Sequence, residues 1–292
     1  MCDFAKKYDT FVITDLTVQD ATYEGMVYSE FVGSSVTIGG QTTAVELTRA
    51  GDFTSLSCDL PTTVADGDVM VFETLFNVKV PRNDWNRFGW DIYNSSETVK
   101  LCNALPLVAY NDKGEWITHS FAKIGESFNS ETACFDVRFK CPDEYTVAMT
   151  GIPVMENGFY HVIENNIRDF SIIAITNCQT YEVEHNGVLV TVYANKNNYS
   201  NAEWAAGVIC DTIDYLEENV GEYPYDSIDL CICAQGGGGM EWPELITSTD
   251  INTSNALTIA HEVTHEWFYL VVGNDEFEEP WIDEGITEYL SC

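Results

Sequence analysis

Up to about residue 180 the apolar residues of this chain recur with a period of two, and beyond it many recur at helical spacing. Successive side chains of a strand point to opposite faces, whereas a helix brings residues three and four apart onto one face. The run from Val69 to Val80 (VMVFETLFNVKV) alternates in this way and closes at Pro81; Ala133-Cys134-Phe135-Asp136-Val137-Arg138-Phe139 does so before Cys141-Pro142-Asp143. Many short strands at turn-rich spacing predict an antiparallel β-sandwich over residues 1–180. After it, Gly187 to Tyr193 reads as one more strand. A helix capped by Ser200 or Asn201 follows, with Trp204, Val208, Ile209, Ile213, Leu216 and Val220 on its apolar face and Gly221 as its stop. Ile228 to Cys233 is again a strand, feeding Gln235-Gly236-Gly237-Gly238-Gly239-Met240-Glu241-Trp242-Pro243. A second helix is expected from about Ser254 to Val272, ending at Gly273, and a third from near Pro280. The fold class expected is α+β, with a β-sandwich over 1–180 and a second, α/β domain over 181–292.

Composition supports two modest domains. The 292 residues are 45% hydrophobic and 13% aromatic, enough for sizeable cores. No run of about 18 apolar residues occurs, so no membrane-spanning segment is expected, and no apolar stretch follows Lys6-Lys7 as a signal peptide requires. Forty-seven acidic against thirteen basic residues give a net charge of −34. Such a field repels nucleic acid and anionic lipid; it reads first as a solvated acidic surface, and second as an attraction for basic peptides. The ten cysteines show no regular spacing and no C-x-x-C pair, which points to free thiols and disfavours cysteine as a metal ligand. That favours a reducing compartment such as the cytoplasm; a secreted or membrane-anchored setting stays open.

The sharpest chemical signal is His261-Glu262-Val263-Thr264-His265. On a helix, residues i and i+4 share a face, so both imidazoles reach one metal ion. Glu262 lies about 100° around the axis, beside the metal, which suits a base acting on water better than a ligand. A catalytic zinc takes three protein ligands and a water. The third ligand therefore comes from elsewhere.

Two further segments carry a family resemblance. H-E-x-x-H followed after eighteen residues by Glu284, within Trp281-Ile282-Asp283-Glu284-Gly285, is similar to the pattern of the gluzincins. Gly238-Gly239-Met240-Glu241-Trp242 resembles the G-A-M-E-N motif of the aminopeptidase N family of zinc metallopeptidases, His265-Glu266-Trp267-Phe268 its H-Q-W-F, and Asp283-Glu284-Gly285 its N-E-G. Weaker likenesses run back through Phe76 to Pro81, Arg87-Phe88-Gly89, Ser130-Glu131 and Val147 to Gly151. The resemblance implies one Zn2+ per chain held by His261, His265 and Glu284, with Glu262 as the catalytic base. It also implies peptide substrates with a free N-terminus, whose α-ammonium meets Glu241 and whose backbone meets Gly238, Gly239 and Met240. Small residues let a substrate backbone approach, and a fixed carboxylate selects a charged amine. Trp242 departs from the family's Asn or Tyr. Glu97 is a candidate second contact to the amine, with a surface carboxylate as the alternative.

The same resemblance implies a thermolysin-like second domain that is truncated here. The family's catalytic tyrosine and its helical lobe would lie beyond Cys292, so the 292 residues alone are expected to be of low activity. A gluzincin endopeptidase, a non-catalytic zinc- or peptide-binding fragment and an epoxide hydrolase are the rival readings. His119, His161 and His185 read as ordinary surface or core residues, Tyr223-Pro224-Tyr225 as a structural turn. Oligomeric state and side-chain preference are not legible.

Overall fold

The structure is a computed structural model, and it describes residues 7–18, 27–65, 67–82, 87–93, 95–120, 129–233, 238–249, 251 and 255–292. Strands predominate, with a few helices, in an α+β chain rich in antiparallel sheet. Two compact units are present: Met1–Pro81 with Asn103–Ser130, and Arg82–Cys102 with Glu131–Cys292. The expected boundary at 180/181 falls inside the second unit, within the strand Cys178–His185.

In the first unit, Thr48–Arg49, Ser55–Ala65, Lys7–Thr14 and Leu107–Val108 form one antiparallel sheet, and Gln41–Val45, Ser29–Ile38 and Met70–Val78 another. The period-two pattern is realised in Met70–Val78: Met70, Phe72, Thr74 and Phe76 turn inward, and Val71, Glu73 and Leu75 outward. The core of this unit is Phe11, Ile13, Leu56 and Cys58 from the first sheet, covered by Phe31, Met70 and Phe72 from the second. The Phe11 and Phe72 ring centroids lie 5.0 Å apart. Buried Asp15 is satisfied by Arg49 at 2.7 Å and by the hydroxyls of Thr17 and Ser29.

In the second unit, two antiparallel sheets (Phe88–Tyr93, Ser96–Leu101, Ile172–Thr176, Tyr145–Met149; and Ala133–Phe139, Phe159–Ile167, Val154–Glu156) precede a mixed one. The mixed sheet runs, in spatial order, Cys178–His185, Val188–Asn195, Ser227–Ile232, Leu245–Ser248 and Gly239–Trp242, with its central pairs parallel. Every residue of Ser227–Ile232 is buried, as expected of a strand covered on both faces. Helix α1 (Ala202–Asn219) packs Ala205, Ile209, Ile213 and Leu216 into a core shared with Ile228, Leu230, Ile246 and, from helix α2 (Ala256–His265), Ile259 and Val263.

The helix ends differ from expectation in detail. Asn201 occupies the N-cap of α1, but its side-chain amide donates to the Ile251 carbonyl at 2.7 Å instead of capping. The N–H groups of Val220 and Gly221 both return to the Leu216 carbonyl, which closes the helix where Gly221 predicts. The expected second helix stops as an α-helix at His265 rather than at Val272. The next residues, Glu266–Val271, make a π-helical turn broken by non-helical backbone angles at Phe268 and Tyr269. Phe268 offers its carbonyl to His265 Nδ1 at 3.0 Å, and Leu270 to Arg168 Nε at 3.0 Å. The expected starting residue Ser254, and Gln235 to Gly237 of the glycine run, lie outside the described residues. Among the described residues no helix is long and apolar enough to cross a membrane, and every cysteine is a free thiol.

Candidate metal centre

Helix α2 is oriented by its apolar face. Ile259 and Val263, one turn apart, enter the core together with Trp267, whose indole N–H donates to the Gly221 carbonyl at 2.9 Å. The polar face carries His261 and His265, whose Nε2 atoms approach to 3.1 Å. Glu284 comes from the following segment. Asp275 accepts from the N–H of Phe277 at 3.1 Å to set the turn, and Pro280 begins a π-turn over Trp281–Gly285 that continues into helix α3 (Ile286–Ser291). The Glu284 Oε2 atom lies 3.2 Å from His261 Nε2 and 3.7 Å from His265 Nε2. Three donors each about 2.05 Å from a tetrahedral ion stand roughly 3.3 Å apart, so this set has the spacing that such an ion requires.

The far side of each imidazole is also held. His265 Nδ1 faces the Phe268 carbonyl and, at 3.4 Å, the Thr287 hydroxyl; His261 Nδ1 faces Glu288 Oε2 at 3.4 Å. A partner on Nδ1 fixes the ring and leaves Nε2 free to ligate. Glu288 and Thr287 were not among the sequence candidates. The signal for Glu288 was its place one turn after Glu284.

Glu241 lies on the edge strand Gly239–Trp242, which pairs antiparallel with Leu245–Ser248. Alternation buries Met240 and Trp242, and puts Glu241 with Glu262 and His265 in a second buried group of potential ligands. Gly238 has φ of +114°, a left-handed backbone that glycine enters without strain. Burial, then the neighbouring Glu241 carboxylate, pushes Glu262 well above the usual carboxylate range, with His265 opposing. Burial pulls the His265 imidazolium down, but Glu241, Glu284 and Glu262 outweigh it and push it up to about 10. Hydrogen bonds from His261 and then His265 hold Glu284 well below its ordinary value. The site is thus a cluster of carboxylates organised around two imidazoles, an environment that welcomes a cation.

Beneath it lies a polar layer that sequence reasoning did not single out. Glu266 and Glu244 are each 1% exposed. Glu266 Oε2 accepts from the Glu244 N–H at 3.1 Å and the Tyr223 hydroxyl at 3.4 Å, and Ser227 Oγ donates to Glu244 at 2.9 Å. Burial pushes Glu244 up to about 8 and Glu266 well above its usual range. The sequence carried a signal for this layer: Glu266 stands where the motif it resembles has Gln.

The other candidates have other company. The Glu97 carboxylate takes the Tyr145 hydroxyl proton bond, which helps push that phenol up to about 12. His161 bridges Asp136 at 2.8 Å and Glu156 at 3.0 Å, and His185 meets Asp214 at 2.7 Å. Neither histidine belongs to the potential metal-binding groups among the described residues.

No family model matches the chain. Curated relatives do align with it, among them the following three. Rat glutamyl aminopeptidase is 25% identical over 189 residues, 55% of this chain and 20% of that protein. Human glutamyl aminopeptidase is 30% identical over 123 residues, 37% of this chain and 13% of that protein. Leucine aminopeptidase 2-1 of Scheffersomyces stipitis is 26% identical over 255 residues, 80% of this chain and 40% of that protein. The chain therefore spans a fifth or less of the length of the rat and human glutamyl aminopeptidases. At modest identity and partial coverage, these similarities support an aminopeptidase family and a peptidase function in general terms.

Proposed function

We propose that these residues form the front part of a zinc-dependent aminopeptidase, a β-rich N-terminal part followed by the first part of a thermolysin-like domain. The observation that carries this reading is the convergence of His261, His265 and Glu284, with mutual donor spacings of 3.1 to 3.7 Å, beside the buried pair Glu241 and Glu262. Two imidazoles and one carboxylate, each imidazole backed at Nδ1, fit Zn2+ by donor type as well as by spacing. Zinc held there supplies a Lewis acid that polarises the scissile carbonyl and acidifies a water.

The chain's own residues supply the rest. Glu241 holds the substrate's α-ammonium, so that cleavage falls after the first residue. Gly238, Gly239 and Met240 offer backbone to the peptide along the strand that is last in the sheet among the described residues. Glu262 accepts the proton of the attacking water and returns it to the leaving amine.

The test compares aminoacyl substrates bearing a free amine with their N-acetylated forms, using the polypeptide that carries these residues with zinc supplied. The free-amine substrates should be cleaved, a chelator should stop the reaction, and Glu241→Ala should depress their use far more than any cleavage of the acetylated forms. Equal losses on both would favour an endopeptidase, and zinc binding without turnover a binding fragment.

A further inference from the structure

The last carbonyls of a helix have no partner within it and must find one elsewhere. In the turn that follows helix α2, a side chain from a distant strand meets them. Arg168, the residue after strand Phe159–Ile167, donates from Nε to the Leu270 carbonyl at 3.0 Å. One of its terminal nitrogens stands 3.5 Å from the Val271 carbonyl. The guanidinium rests against Gly273, on the side where a Cβ would stand.

The turn so held has a shifted register. In an uninterrupted helix the Phe268 carbonyl would accept from the N–H of residue 272. Here the Val272 N–H goes to the Trp267 carbonyl at 2.9 Å, one residue earlier. The Phe268 carbonyl is thereby released, and it meets His265 Nδ1 at 3.0 Å. The joint that makes this turn is strained: Phe268 is non-helical, and Tyr269 has φ of 152° with ψ of −60°. A bulky, buried residue keeps such a backbone only where its surroundings impose it, and such joints cluster at functional sites.

We propose that Arg168 is a positioning residue for His265: by holding the Leu270 and Val271 carbonyls it keeps the turn in the register that leaves the Phe268 carbonyl for the Nδ1 of the imidazole. A guanidinium suits the task, because its planar fork of N–H donors spans two successive carbonyls. Without it the joint relaxes toward helix, and Nδ1 is left to the Thr287 hydroxyl at 3.4 Å. The link to the metal rests on the reading of His265 as a zinc ligand; the link to the joint does not.

The experiment uses the 292-residue chain with Arg168→Met and Arg168→Lys, with and without one equivalent of zinc. The Nδ1 proton of His265, identified by its loss in His265→Ala, is followed by NMR, and zinc affinity by competition with a chelator. In the parent that proton should exchange slowly with water in both states. In Arg168→Met it should exchange faster while the His261 signals keep their positions, and zinc should bind about tenfold more weakly, the lower end of what an outer partner contributes. Arg168→Lys, with one nitrogen for two carbonyls, should fall between. A lower thermal midpoint with the His265 proton and zinc affinity unchanged would make Arg168 a structural tie only and overturn the inference. If Arg168→Met does not fold, Arg168→Lys decides by the same criteria; failure of both to fold overturns the inference as well. If the parent binds zinc no better than His265→Ala, the proposed function fails, while proton exchange in the metal-free chain still decides whether Arg168 holds the joint.

Discussion

The two segments that bring ligands to the candidate metal centre are built in opposite ways. Helix α2 is anchored in the core: Ile259 and Val263 are fully buried, Trp267 is tied to Gly221, and His265 is 1% exposed. The segment Trp281–Ser291 is a π-turn leading into a six-residue helix, with the Glu284 side chain 46% and the Glu288 side chain 71% exposed. A short helix has little intrinsic stability and depends on what it touches. It joins α2 through Leu290 on the shared core, and through Glu284 and Glu288 on His261 and Thr287 on His265. The contrast teaches that the histidines are set chiefly by burial, whereas Glu284 combines a buried anchor at Asp283, Thr287 and Leu290 with ionic contacts that a metal would reinforce.

The contrast can be broken by mutation. His265→Ala removes the donor that both potential ligand groups share, and zinc affinity should fall by more than about a hundredfold. Glu284→Ala should cost less than His265→Ala, because it leaves two fixed imidazoles; an equal or larger loss would reverse the ranking of the two segments. Equilibrium dialysis against a competing chelator measures both. Glu262→Gln should leave zinc affinity within a few-fold of the parent while turnover drops about a hundredfold. Loss of zinc in that variant would make Glu262 a ligand. Glu288→Gln keeps shape but removes the charge behind His261, and should weaken zinc about tenfold, the lower end of what outer partners contribute. No change would mean that the exposed segment acts through Glu284 alone.

The smallest effect concerns the layer beneath. Burial raises Glu244 from 4.5 to about 8, so in this window the folded chain binds more protons than the unfolded one. Its contribution is most favourable below the unfolded value of 4.5 and declines as pH rises toward about 8. Denaturation midpoints of the metal-free chain should therefore fall between these two pH values, and Glu244→Gln should flatten that slope. An unchanged slope would take Glu244 out of the titration.

The parts legible in the sequence are those in which one periodicity holds without competition. The alternation in Met70–Val78 and the apolar face of Ala202–Asn219 both survive folding, because each face meets one environment. Helix α2 was legible only as far as His265. Beyond it, hydrophobic spacing continues through Trp267 and Leu270, but the carbonyls of Phe268 and Leu270 are claimed by His265 and Arg168, contacts that no local pattern encodes. His261, His265 and Glu284 could be named from spacing and resemblance. Glu244 could not, because its partners Ser227 and Glu266 lie 17 and 22 residues away in sequence.

The central claim is that one zinc ion sits among His261, His265 and Glu284, and X-ray absorption at the zinc edge tests it most directly. The chain loaded with one equivalent of zinc should show only nitrogen and oxygen neighbours near 2.0 to 2.1 Å, about two of them with the outer-shell pattern of imidazole. The imidazole pattern should be reduced by one in His261→Ala. Sulfur neighbours near 2.3 Å, or a spectrum unchanged by that substitution, would contradict the account and move the metal to the cysteines or to the surface.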